Sequence, residues 1–325
     1  MPSIMPNAKV EPSMLGPTLR VTQSGLRVAE NILDLIGRTP LLRLKALEPK
    51  GATRVWAKCE LGNPGGSVKD RPAYYMVLDA ERSGRLRPGA TIVEATSGNT
   101  GISLAMIAAV RGYGCILVMP EDMSMERRHI LKAYGAEIVL TNAQEGMRGA
   151  VGRAESIVKK TDGAFMPSQF ENAANPRSHE ESTAREILEQ MGGQLAAFVT
   201  GVGSGGTISG VARALRDTLG ASVRVVGAEP AGSAVLSGKP AGTHGIQGLG
   251  AGFIPPVLAR DLLDEVVTVS DVAAERMMRR LAREVGILTG PSSGANVHAA
   301  VEVAKMIPEG DVVTILCDSG ERYLF

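Results

Sequence analysis

The sequence predicts an α/β protein of two lobes, each a mostly parallel twisted sheet flanked by helices. Three observations lead there. Strand-like apolar runs alternate with helix-like segments from about residue 55 onward, the order that gives parallel strands joined by right-handed crossovers. The alternation occurs twice, once before about residue 141 and again from about residue 196. Glycines, 39 in all, gather in short turns after the strand-like runs, where a backbone can approach a phosphate-bearing ligand closely. At 325 residues the chain is long enough for two such units.

Residues 1–28 carry Pro2, Pro6, Pro12 and Pro17 and no continuous apolar stretch, so they read as a loose tail rather than a signal peptide. Residues 55–58 read as extended. Over 70–82, Ala73, Met76, Val77 and Ala80 fall at the i, i+3, i+4, i+7 spacing of a packed helix face. Two starts are open for this helix: a capping box from Ser67 to Asp70, or Asp70 itself as cap, which suits Pro72 in the first turn. A strand follows at 91–95, then an almost wholly apolar and hence buried helix at 99–111, a strand at 115–119, a helix at 124–134 and a strand at 136–140. The second block reads as a strand at 196–200 and a helix at 207–219 with Ile208, Val211, Leu215 and Leu219 on one face. It continues with a strand at 223–228, a helix at 271–285 and a last strand at 312–317.

Composition excludes several functions. With 35 basic against 34 acidic residues and 3% aromatics, the chain has neither the charge nor the stacking platforms of a nucleic-acid binder. Its longest apolar stretches, such as 102–110, are too short to span a bilayer. Cys59, Cys115 and Cys317 form no CxxC pair and suit free, buried thiols in a reducing cytoplasm. The four histidines, His129, His179, His244 and His298, show no metal-ligand spacing, so no metal is expected.

Three glycine-bearing segments and one lysine carry the chemistry. In Asn63-Pro64-Gly65-Gly66-Ser67-Val68-Lys69-Asp70-Arg71-Pro72, a turn delivers Lys69 to a helix start. The positive end of the helix dipole favours a neutral amine, which can attack an aldehyde and later accept a proton; the plain alternative is a solvated surface lysine. Thr96-Ser97-Gly98-Asn99-Thr100-Gly101 offers hydroxyls and N–H groups to an anion such as a carboxylate, or is an ordinary N-cap in a βα turn. Gly201-Val202-Gly203-Ser204-Gly205-Gly206-Thr207 is a phosphate cradle at a helix start. It also matches G-x-G-x-x-G, with Glu229 near the place of a ribose-binding acid, which makes a nicotinamide dehydrogenase a rival that leaves Lys69 unexplained. Gly290-Pro291-Ser292-Ser293-Gly294 matches a hydrolase nucleophile elbow, but the only later histidine is His298, out of order for a triad. A lysine for an aldehyde, a phosphate cradle and a hydroxyl for a ring meet in one cofactor, pyridoxal phosphate.

On these motifs the chain resembles the cysteine synthase (O-acetylserine sulfhydrylase) family of the fold-type II pyridoxal phosphate enzymes, which includes cystathionine β-synthase. The likeness runs from Ile36-Gly37-Arg38-Thr39-Pro40-Leu41 through His244-Gly245-Ile246-Gln247-Gly248-Leu249-Gly250-Ala251-Gly252-Phe253 to Asp318-Ser319-Gly320-Glu321-Arg322-Tyr323. The resemblance implies that Lys69 forms a Schiff base with the cofactor and moves the α-proton. It implies that Asn99 meets the ring oxygen, that Gly203, Ser204, Gly205, Gly206 and Thr207 hold the phosphate, and that Ser292 faces the pyridine nitrogen. Thr96, Ser97, Thr100 and Gln169 would take the substrate carboxylate, with Gly248 on the facing wall. The implied reaction is β-replacement through an aminoacrylate, O-acetylserine and sulfide giving cysteine and acetate.

The resemblance also implies a large cofactor-binding lobe of residues 29–54 and 161–325, and a small mobile substrate-binding lobe of 55–160. It implies a homodimer, an encounter with serine acetyltransferase and, beyond Phe325, no regulatory extension. A non-catalytic relative would be expected to lack Lys69 or a loop residue. Members of the family usually read Thr-Thr-Gly-Pro-Glu-Ile where this chain has Ser182-Thr183-Ala184-Arg185-Glu186-Ile187, and isoleucine where it has Pro291. These departures leave the lysine and cradle intact and bear on the second substrate, so O-phosphoserine, homocysteine and amines stay open.

Overall fold

A computed structural model describes residues 20, 21, 27–96 and 98–324. The expected N-terminal tail, residues 1–28, falls mostly outside them, and so does Ser97. In chain order the first elements are β1 (Arg20–Val21), β2 (Arg27–Val28), β3 (Leu41–Arg43), β4 (Ala52–Cys59) and α1 (Asp70–Arg82). There follow β5 (Thr91–Ala95), α2 (Asn99–Arg111), β6 (Gly114–Pro120), α3 (Met125–Ala133), β7 (Glu137–Thr141) and α4 (Gly146–Lys160). Then come α5 (Ala174–Ser178), a π-helical turn (His179–Thr183), α6 (Ala184–Gln190), β8 (Ala197–Gly201), α7 (Gly206–Leu219), β9 (Arg224–Pro230), β10 (Glu265–Val269), α8 (Asp271–Arg280), α9 (Pro291–Met306) and β11 (Glu309–Leu316).

Two parallel sheets organise the chain, as the alternating pattern requires. Six strands run β10-β9-β8-β11-β4-β3, parallel except for the β3–β4 edge; three more run β5-β6-β7, all parallel. Apolar side chains on both faces bury each sheet. On one face of the larger sheet Ala295, Ala299 and Val303 of α9 meet Val55, Val199 and Val312, and on the other Val211 and Leu215 of α7 meet Phe198, Val313 and Ile315. The smaller sheet packs Ile92 and Leu117 against Leu104 and Ile107 of α2, and Val93 and Val118 against Ala150 and Ala154 of α4. Among the described residues no helix is long and apolar enough to cross a membrane.

The structure corrects several expectations. β4 would be cut by a lobe boundary at residue 55, yet all eight of its residues pair with β11, so the strand lies wholly in the larger sheet. The long helix expected at 271–285 is α8 followed by a π-helical turn, Leu281–Val285, and Cys317 lies beyond the end of β11. α1 has neither expected cap. Lys69 itself occupies the N-cap position with no side-chain cap bond. Asp70 is instead committed inward, accepting from Gly65 N at 2.6 Å and from Ser103 Oγ at 2.5 Å, and Ser67 Oγ accepts the N–H of Lys69 at 3.2 Å. The glycine turn is therefore tied down by the carboxylate that would otherwise have capped the helix.

Candidate active site

Two residues after Lys69, the start of α1 is held by a buried charge network. Arg71, 1% exposed, makes a two-point ion pair with Glu60, 0% exposed, at 2.7 and 2.8 Å. The same guanidinium reaches Glu186 at 2.6 and 2.8 Å, and Lys58 Nζ joins Glu186 at 2.7 Å. Such a network fixes the start of α1 because no charge can leave without stranding its partner in low dielectric. Lys69 lines a cavity with Asn99, Gly203, Ser204, Thr207 and Ser292. Burial lowers the pKa of its amine, while Cys317 and Asp318 act weakly in the other direction. Burial thus favours the uncharged form of the amine, as a place at a helix start does.

The cradle lies at the carboxyl end of β8, where α7 begins, the usual ligand position in an open α/β sheet. Gly205 adopts φ +84°, and a Cβ on Gly203 would stand 2.2 Å from Gly248 O. Gly206 is constrained equally, since its Cβ would meet Asn175 Oδ1 at 1.8 Å. Asn175 Nδ2 donates to Ser204 Oγ at 3.0 Å and to Gln169 O at 2.7 Å, which joins the cradle to the neighbouring loop. The first turn of α7 has no side-chain cap, and Gly205 and Thr207 at its start line this cavity, so loop and dipole together fit a phosphate. With a buried lysine amine of lowered pKa and the buried Ser292 hydroxyl in the same cavity, the residues fit pyridoxal phosphate.

A second opening starts from Lys69 and is lined by Thr96, Gly98, Thr100, Gln169 and Gly248. Thr100 Oγ1 donates to Gln169 Oε1 at 2.7 Å, and Thr96 Oγ1 accepts from Gly98 N at 3.2 Å. Four of the five expected substrate residues are therefore together; the fifth, Ser97, is not described. At the rim Arg127 of α3 donates to Gln247 Oε1 at 2.6 Å, and its guanidinium lies 5.6 Å from the Tyr323 ring centroid.

Asn99 is more tightly held than the sequence suggested. Its Nδ2 donates to Asp318 Oδ2 at 2.6 Å and its Oδ1 accepts from Arg322 Nη1 at 2.5 Å. Tyr323 donates to the same Asp318 oxygen at 2.5 Å, and the Ser292 hydroxyl pairs with the Cys317 thiol. Burial raises the pKa of that thiol to about 12, so Cys317 lines the cavity as a neutral group. It is only partly buried as a residue, unlike Cys59 and Cys115. Asp318, Cys317, Asn175, His179 and Arg127 were not picked out from the sequence as site residues. Asp318 stands in a segment that carried the resemblance, whereas Asn175, His179 and Arg127 gave no local signal of a role here.

The rival readings lose their key residues. The Glu229 carboxylate accepts from Leu236 N at 2.8 Å, Ser237 N at 2.9 Å and Ser237 Oγ at 2.5 Å, so it closes its own loop instead of waiting for a ribose. His298 lines a different cleft with Met277, Arg280 and Lys305, away from Ser292.

Comparison with known proteins agrees with this geometry. The sequence pattern of the family described as pyridoxal-phosphate dependent enzyme matches residues 32–318. A probable cysteine synthase of Bacillus subtilis (strain 168) is 50% identical over 303 residues, covering 92% of this chain and 97% of that protein. The crystal structure of an O-ureido-L-serine synthase superposes with a TM-score of 0.88 at 47% identity, over 91% of this chain and 94% of the other. A cysteine synthase (OASS) from Entamoeba histolytica gives a TM-score of 0.89 at 40% identity, over 94% and 92% of the two chains.

Proposed function

The chain belongs to the pyridoxal-phosphate dependent enzymes, with cysteine synthases among its relatives, and from this we propose that it is a cysteine synthase, replacing the acetate of O-acetyl-L-serine with sulfide to give L-cysteine. The observation that carries the reading is that the amine of Lys69, its pKa lowered by burial, shares one cavity with the Gly203–Thr207 cradle and Ser292. Pyridoxal phosphate, when bound, supplies a carbonyl for an amine and a conjugated ring that spreads the electrons of a deprotonated α-carbon.

The chain's residues then divide the work. Lys69 binds the cofactor through its unprotonated amine, takes the substrate α-proton and returns it to the product. The cradle residues Gly203, Ser204, Gly205, Gly206 and Thr207 hold the phosphate. Asn99, kept in place by Asp318 and Arg322, orients the ring. Ser292 offers the ring nitrogen a neutral hydroxyl, which cannot hold a proton there as a carboxylate would. That limits electron withdrawal and suits loss of a β-substituent over a long-lived carbanion. Thr96, Ser97, Thr100 and Gln169 receive the substrate carboxylate at the N-terminus of α2, with Gly248 opposite.

Capture of the carboxylate draws the three-stranded sheet and α2–α4, acting as a small mobile lobe, over the site and excludes water. Arg127 and Gln247 already meet across that rim. We place the enzyme in the cytoplasm as a homodimer that can meet serine acetyltransferase. Titrating the purified protein with pyridoxal phosphate tests the reading: a yellow absorbance band should form, and O-acetylserine should shift it. A band that O-acetylserine leaves unchanged would rule the substrate out. Offering sulfide, homocysteine and small amines in turn then decides the nucleophile.

A further inference from the structure

His179 stands on the π-helical turn between α5 and α6, packed against the start of α7. A side chain on Gly210 of α7 would clash with Pro176 O at 2.0 Å and approach the Cβ of His179 to 2.9 Å, so α7 lies directly on this turn. The close approach places Thr207, three residues before Gly210, beside the imidazole. The ring is 1% exposed and has a hydroxyl at each nitrogen: Thr183 Oγ1 is 2.9 Å from Nδ1, and Thr207 Oγ1 is 3.2 Å from Nε2.

Burial, reinforced by the nearby charge of Arg71, pushes the imidazole pKa well below its usual 6.5. A neutral ring has one donor and one acceptor, so only two arrangements satisfy both distances. With the proton on Nδ1, Thr207 must spend its own proton on Nε2, and only its lone pairs would face the cradle. Those lone pairs would repel a phosphate. With the proton on Nε2, Thr183 donates to Nδ1, the ring donates to Thr207 Oγ1, and the Thr207 proton is free for an anion. Charge decides between the two, because a dianionic phosphate needs donors.

The geometry points to His179 as a positioning residue for the cofactor phosphate: as the Nε2–H tautomer it donates to Thr207 and aims that hydroxyl's proton into the cradle. The inference rests on the pyridoxal phosphate reading above. It assigns a function to a buried histidine that touches neither substrate nor cofactor, the relation outer groups bear to metal ligands.

The test compares His179→Gln, whose amide nitrogen falls near Nε2, with His179→Asn, whose amide ends short of Thr207. Cofactor dissociation constants are read from absorbance titrations of the apoprotein, beside thermal unfolding of each apoprotein. His179→Asn should weaken cofactor binding about tenfold while His179→Gln stays within about threefold of wild type, the size expected for one hydrogen bond at a charged group. Equal losses in both variants would overturn the proposal. Nitrogen-15 NMR of histidine-labelled wild-type holoprotein needs no variant and reads the tautomer directly. A proton on Nε2 is expected, and a proton on Nδ1 would overturn the proposal. Failure of the wild-type chain to bind pyridoxal phosphate would overturn this proposal together with the reading beneath it. Normal wild-type binding with equal variants would overturn this proposal alone.

Discussion

Glu94 Oε2, inside β5, accepts the backbone N–H of Ser168 at 2.8 Å. The bond joins the strand that leads into the Thr96–Thr100 loop to the residue before Gln169. Ser168 holds φ +54°, in the left-handed region that non-glycine residues seldom enter, so its neighbour's placement depends on being tied. One buried carboxylate thus aligns both sides of the substrate-carboxylate site.

Burial raises the pKa of Glu94 from 4.5 to about 7, with the bonds from Ser168 and Ala95 opposing. Between those two values the folded state keeps a proton that the unfolded chain has released. Stability therefore falls as pH rises through this window, by a total of about 3 kcal/mol from this group. Glu94→Gln should flatten that part of the curve, measured by urea unfolding at pH 5 to 8. Parallel curves for wild type and variant would show that Glu94 does not titrate there.

Arg71→Ala should destabilise the fold by about 3–5 kcal/mol, because it leaves the buried Glu60 carboxylate without its cationic partner. Denaturant midpoints with unchanged m-values check this. Glu186 is held down to about 2, its bond to Arg71 and the Arg71 and Lys58 charges outweighing burial. Its stabilisation is complete above about pH 4.5 and is lost as pH falls toward 2. Glu186→Gln should therefore lower stability at pH 7 and approach wild type in strong acid.

These networks were invisible in the sequence, and the reason is separation along the chain. Lys58 and Arg71 meet Glu186 more than a hundred residues on, and Asn99 meets Asp318 at the far end. What could be read was local. α1 falls at 70–82 as predicted because its apolar stripe is regular, and α2 at 99–111 because it is apolar throughout. α9 escaped notice for the opposite reason: Ser292 to Ala304 is buried on nearly every side by small residues, so no amphipathic period marks it. α4 carries Gly146, Gly149 and Gly152, which argue against a helix until its Ala150 and Ala154 pack on the smaller sheet. The π-helical turn at His179 likewise breaks the period between α5 and α6. The motifs were legible because each is a short stretch of backbone at a helix start, whereas their supports are tertiary.

Gly203→Ala should weaken cofactor binding and also lower the stability of the apoprotein. Its Cβ would stand 2.2 Å from the backbone oxygen of Gly248, and every atom it would meet is backbone, so no side-chain rotation relieves the contact. Overpacking of this kind costs the fold about 1–3 kcal/mol, and the displaced loop loses its fit to the phosphate. An absorbance titration of the apoprotein with pyridoxal phosphate reads the change directly.

Cysteine formation from O-acetylserine and sulfide by cofactor-loaded protein, measured beside Lys69→Ala, bears most directly on the proposed role of Lys69. Wild type should turn over, and the variant should lose at least about a thousandfold of the rate while keeping its fold, as removal of a covalent and proton-carrying group does. Undiminished cysteine synthesis by Lys69→Ala, or no cysteine from the loaded wild type, would contradict it.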